Sequence, residues 1–194
     1  MLLSIAGLFV LLYRSLWQDS VAYTIGAGVY GVSMISVYTS STLYHVTTAR
    51  RLKNIFLWLD HSCVYALIAG TYTPFMLSVL RGTVGTAVLC AVWGLAVLGI
   101  VSKTVLKLRS DLISLPFYLL MGWMIVLVIR PFASGIGMDG LVLLMAGGLC
   151  YSLGIIFFCS KFSYAHAVWH MLVLTGSALH YAGVLLYATP ASAS

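Results

Sequence analysis

Along the chain, apolar positions gather into long stretches separated by short polar breaks. Divided at its charges and its Gly/Pro clusters, the sequence yields segments near 1–17, 22–46, 55–80, 83–102, 111–130, 139–160 and 164–188. A helix needs about 20 apolar residues to cross a bilayer, and these segments match that length. They are continuous rather than alternating in polarity, which predicts helices and not barrel strands. The expected architecture is an all-α integral membrane protein, a single seven-transmembrane helix bundle over residues 1–194. The first segment is the weakest, because Arg14 interrupts it after about a dozen apolar residues. A natural N-terminus reaching beyond Met1 is the expectation that this shortness raises.

Composition agrees with the pattern. The chain is 62% hydrophobic and 7% charged, against about 45–50% and about 25% in soluble domains. No charged front and small-residue cleavage site marks a signal peptide, so the greasy start reads as part of a span that stays. The formal charge of +6 comes from ten Lys/Arg against four Asp and no Glu. These basic residues are scattered among short loops, which argues against nucleic acid as a partner and for orientation in a membrane. The breaks after segments two, four and six carry Arg50, Arg51, Lys53, Lys103, Lys107, Arg109 and Lys161, whereas the others carry Arg14, Arg81 and Arg130. By the positive-inside rule the N-terminus is cytoplasmic and the C-terminus outside.

Ionisable groups inside spans are costly, so each one is a functional candidate. Here they are His45, Asp60, His61, His166, His170 and His180. His45 ends the second span, Asp60 stands near the start of the third, and His166 and His170 open the seventh, all toward the cytoplasmic face. At 1.5 Å per residue they lie about 3–10 Å inside their helix ends, so three helices can bring them into one shallow layer. His166 and His170 are one helical turn apart and can grip one ion, and Ser41 shares a face with His45. Three neutral imidazoles with an open fourth position suit a catalytic zinc. A water there would have its pKa lowered, and Asp60 could orient it or take its proton. The competing reading is a buried polar network without metal.

Other residues receive plainer assignments. His61 points about 100° away from Asp60 around the helix, toward an interface or the head groups. His180 lies about 15 Å deeper than His170, where it hydrogen-bonds between helices or lines a cavity. Thr71, Tyr72, Thr73 and Pro74 predict a kink in the third span. Gly26, Gly28, Gly31, Gly147 and Gly148 predict close helix packing. Trp58, Trp123 and Trp169 serve as interfacial anchors or packing groups. Cys63, Cys90, Cys150 and Cys159 have no metal-site spacing and read as small core residues.

The segments "SSTLYH", "LDHSCVYALIAGTYTPF" and "YSLGIIFF…HAVWHMLVLTGSALHY" resemble the haemolysin III family, the bacterial branch of the progestin and adipoQ receptor family. The likeness covers nearly the whole chain, and S-x-x-x-H, an early Asp in the next span and H-x-x-x-H in the last form a specific combination. It implies seven helices in a bacterial cytoplasmic membrane with a cytoplasmic N-terminus. It also implies a zinc ion on His45, His166 and His170, Asp60 on a water, Ser41 in support, and kinship with alkaline ceramidases. Family members usually have more sequence before the first span.

Three functions follow. The first is zinc-dependent hydrolysis of a lipid amide or ester, with Asp60 handling the proton and a membrane lipid as substrate. The second is a non-enzymatic sensor or regulator of membrane homeostasis in which zinc staples helices. The third, a cytolytic pore, is disfavoured because no span carries the recurrent polar stripe of an aqueous channel.

Overall fold

The computed structural model describes residues 1–18, 20–104 and 111–188, and among these no strand occurs. The helices are α1 (Leu2–Ser15), α2 (Val21–Val46), α3 (Arg50–Ser78), α4 (Thr83–Thr104), α5 (Asp111–Trp123), α6 (Ile129–Phe158) and α7 (Ala165–Tyr187), with a 3-10 segment, Met124–Val128, between α5 and α6. Four stretches are long and apolar enough to cross a membrane: Val21–Val46, Thr83–Thr104, Ser114–Phe158 and Ala165–Tyr187. α1 is apolar but short. α3 is 29 residues long, and its mean hydropathy is held down by Asp60, His61 and its hydroxyl residues. Large apolar side chains face outward, Leu3 at 88% and Leu127 at 82% exposure. That surface suits hydrocarbon and not water.

α3 is the central element and packs against α2, α4, α5 and α7. It starts at Arg50, five residues before the expected boundary, and every residue from Arg50 to Ile55 is exposed. Arg50, Arg51 and Lys53 therefore stand on a projecting helical turn rather than in a loop, and Lys53 rests over the Tyr44 ring at 5.2 Å. Lys103, also expected in a loop, lies inside α4 and is only 5% exposed. Lys107 and Arg109 lie outside the described residues.

The α2–α3 crossing is close because small residues line it. A Cβ on Gly26 would come within 2.5 Å of the Pro74 Cα, and one on Gly70 would meet the Ser33 hydroxyl. Pro74 lies within an unbroken α3, with Thr71 and Thr73 donating back to the Leu67 and Ala69 carbonyls at 2.8 and 2.9 Å. Gly31 meets Leu8 of α1, and Gly147 meets His180 of α7. Gly28 departs from expectation: nothing lies within 4 Å of its would-be Cβ, and Gly148 has only Trp123 at 3.9 Å. Both point away from a tight crossing. The cysteines depart as well. Cys90 and Cys159 are exposed and Cys63 and Cys150 half-buried, since a small apolar thiol is as well accommodated by lipid as by a core.

The 45-residue apolar stretch Ser114–Phe158 doubles back on itself. Gly137, at φ 73° and ψ 172°, takes a conformation that only glycine adopts readily. Trp123 donates through Nε1 to the Ser152 hydroxyl at 3.0 Å, although a straight helix would hold residues 29 apart at about 43 Å. The expected break between the fifth and sixth segments therefore reduces to a turn at one glycine.

Gly26→Ala should destabilise the protein by about 1–3 kcal/mol through overpacking against the α3 backbone. Gly28→Ala should leave it unchanged or slightly more stable. Thermal unfolding of both variants in detergent tests this, and equal midpoints would refute the close crossing.

Candidate metal centre

Two helix ends build the centre. α2 delivers His45 in its last turn, and α7 delivers His166 and His170 in its first two turns. The ring centroids of His45 lie 5.7 Å from His166 and 5.4 Å from His170, and those of His166 and His170 are 4.6 Å apart. One ligand nitrogen from each ring falls within 4.8 Å of the others. His166 Nε2 and His170 Nε2 are 3.1 Å apart. Two nitrogens bound tetrahedrally at about 2.0–2.1 Å stand about 3.3 Å from each other, so this pair fits a zinc ion. Without metal the same spacing makes an N–H···N hydrogen bond. Trp169, between the two in sequence, packs 4.3 Å from the His170 ring and 5.1 Å from that of His166, with Phe158 behind it at 5.1 Å.

The triad stands at one end of a cavity of about 590 Å³ enclosed by α2, α3, α5, α6 and α7. His45 and His170 line it, whereas His166 stands outside its lining. Asp60 and Ser41 line the same space. Among the described residues Asp60 is the only carboxylate in that lining. It is outside the ligand group itself.

His61 stands at an interface between helices. It lines the cavity, its Nδ1 accepts from Lys103 Nζ at 3.0 Å, and its carbonyl accepts from the Tyr118 hydroxyl at 2.7 Å. Lys103 was missed as a site residue because it stands at the very end of an apolar run, where a Lys reads as a loop. His180 does both things expected of it: Nε2 donates to the Leu144 carbonyl at 3.0 Å, and the ring lines the cavity. The tryptophans act in packing, Trp58 donating to Thr104 at 3.2 Å, Trp123 to Ser152 and Trp169 against the triad.

Tyr72 shapes the wall. Its hydroxyl contacts the Met121 and Gly122 carbonyls, each at 2.9 Å, and accepts the Ile125 N–H at 3.0 Å. A side chain inserted into the helical ladder switches the chain to 3-10 form there, which interrupts the continuous helix expected over 111–130.

A bundle of apolar-faced helices around a histidine-lipped cavity defines a polytopic membrane protein with a potential metal centre. The chain belongs to the haemolysin-III related family, which matches residues 1–181. It is 44% identical over 192 residues to the hemolysin-3 homolog of Bacillus subtilis, covering 96% of this chain and 88% of the relative. Hemolysin-3 of Bacillus cereus is 41% identical over 190 residues, covering 97% and 87%. The human monocyte to macrophage differentiation factor is 31% identical over 170 residues, covering 84% and 70%. No solved structure matches. The resemblance drawn from the motifs thus holds at the level of the family.

Tyr72→Phe leaves the Ile125 N–H without its acceptor and should cost about 1–3 kcal/mol. Chemical unfolding in detergent measures it; a loss of only a few tenths would deny Tyr72 its part in holding the α5–α6 junction.

Proposed function

We propose that the protein is a zinc-dependent hydrolase of lipid amides or esters, seated in a bacterial cytoplasmic membrane. The observation that carries this is a cluster of three imidazoles at the end of an apolar cavity that Ser41 and Asp60 also line. His45, His166 and His170 would hold the ion. When bound, zinc supplies Lewis acidity to the scissile carbonyl and lowers the pKa of a water. Asp60 would accept the water's proton as the water oxygen bonds to the carbonyl carbon, and return it to the departing nitrogen or oxygen as the acyl C–N or C–O bond breaks. Ser41 fixes the carboxylate for both transfers. The apolar walls take the lipid chain and exclude bulk water.

Seven crossings fit this reading. The turn at Gly137 supports counting Ser114–Phe158 as two, and α1 and α3 complete the number. The exposed Arg50, Arg51 and Lys53 beside the triad support a cytoplasmic mouth, an N-terminus on the same side and a C-terminus outside.

One observation favours a second reading, a membrane-homeostasis regulator with structural zinc. α2 and α7 are not among the closely packed helix pairs, so an ion on His45, His166 and His170 would join elements that otherwise hardly touch.

Metal analysis of the purified protein should find about one zinc per chain, lost in His170→Ala. Asp60→Asn should keep the zinc and lower hydrolysis of lipid amides or esters by about a hundredfold or more. Zinc loss that lowers only stability, with Asp60→Asn silent, would move the assignment to the regulator.

A further inference from the structure

The far end of the cavity is as specific in its chemistry as the triad end. His170 and His180 both line it, ten residues apart on α7, which sets them about 15 Å apart along the helix. Around His180 stand Thr71, Tyr72, Trp123, Tyr151 and Ser152, and a smaller annex of about 60 Å³ continues beyond them between apolar walls.

An inventory of protons decides what this floor can bind. The Thr71 hydroxyl donates to the Leu67 carbonyl, Ser152 to Gly148, and Tyr72 to the carbonyls of Met121 and Gly122. Trp123 gives its N–H to Ser152, and Tyr151 pairs with Ser177 at 2.7 Å. His180 completes the set. The Leu144 carbonyl can only accept, so the bond at 3.0 Å requires the proton on Nε2. In a neutral imidazole Nδ1 is then a bare acceptor. Gly147 makes this arrangement possible, because any Cβ there would strike the Cδ2 and Nε2 edge of the ring. That edge is turned to α6, and among the described residues nothing donates to Nδ1. The Tyr151–Ser177 pair keeps one hydroxyl proton beyond its shared bond, the other donor protons named here are used within the protein, and His180 Nδ1 is left as an acceptor.

We infer that the cavity floor is a second recognition site, in which His180 Nδ1 accepts a hydrogen bond from a hydroxyl carried by the lipid about 15 Å from its head group. The inference rests on the reading of the cavity as a lipid site. A hydroxylated chain satisfies the acceptor, whereas a plain chain buries it against methylene groups. An unsatisfied buried acceptor disfavours the plain chain.

The test compares two probes with one head group, dodecanoate and 12-hydroxydodecanoate, binding to the full-length protein in nanodiscs. The hydroxylated probe should bind about three- to tenfold tighter, the worth of one hydrogen bond. His180→Phe should abolish the difference. His180→Gln, whose amide can still donate to Leu144 and accept from the ligand, should retain it. Equal affinities in the wild type, as a resident water at the floor would produce, overturn the inference, and so does a difference that survives in His180→Phe. Wild-type protein labelled with ¹⁵N in histidine gives a reading that needs no variant. There the unprotonated nitrogen of His180 should shift with 12-hydroxydodecanoate and not with dodecanoate, and an unmoved resonance overturns the inference. Failure of both probes to bind refutes the lipid site as a whole, whereas loss of the preference alone leaves that site standing.

Discussion

Hydrocarbon offers no hydrogen-bond partner, so most polar groups in the bundle find one in the protein. Serines and threonines therefore turn back on their own helices, as Ser33 does to Tyr30 at 2.7 Å and Thr42 to Tyr38 at 2.6 Å. Longer side chains reach across. Tyr181 joins α7 to the Gly7 carbonyl of α1 at 3.0 Å, and Trp93 joins α4 to Thr73 at 3.1 Å. These bonds hold helices in register where the hydrophobic effect cannot, because the surrounding lipid is as apolar as the contacts themselves.

The same constraint makes a polar cavity in such a bundle expensive. Its walls combine apolar side chains with groups whose bonding is already complete, so the exceptions carry the chemistry. At the mouth these are imidazoles at two helix ends, close enough to share an ion or a proton. The carboxylate of Asp60 lines the same cavity outside the ligand group, as does Ser41 from the neighbouring helix. Neither helix end could make the site alone, since α2 brings one imidazole and α7 brings two.

Much of this was legible from residue order, because a membrane leaves few explanations for a histidine. The apolar runs located the helices, and the depth of His45, His166 and His170 in their runs anticipated their meeting. Helix starts were less legible. α3 begins at Arg50 because a helix continues into water wherever its residues permit, and hydropathy cannot register that. Lys103 misled for the converse reason: a charge at the edge of an apolar run reads as loop, yet its long side chain can turn inward to His61. The 3-10 segment at Met124–Val128 has no local signature, as its cause is a tyrosine about fifty residues earlier. Gly28 and Gly148 show that glycine content marks the possibility of close approach without saying which face is used.

The turn at Gly137 has a consequence for how the chain enters its membrane. With almost no polar loop between them, the two arms of Ser114–Phe158 cannot be handled as independent insertion events, one completed before the next begins. Joined through Trp123 and Ser152, they would enter as a helical hairpin. On the proposed seven crossings, a glycine remote from the histidines would decide whether α7 arrives with its N-terminal end facing them.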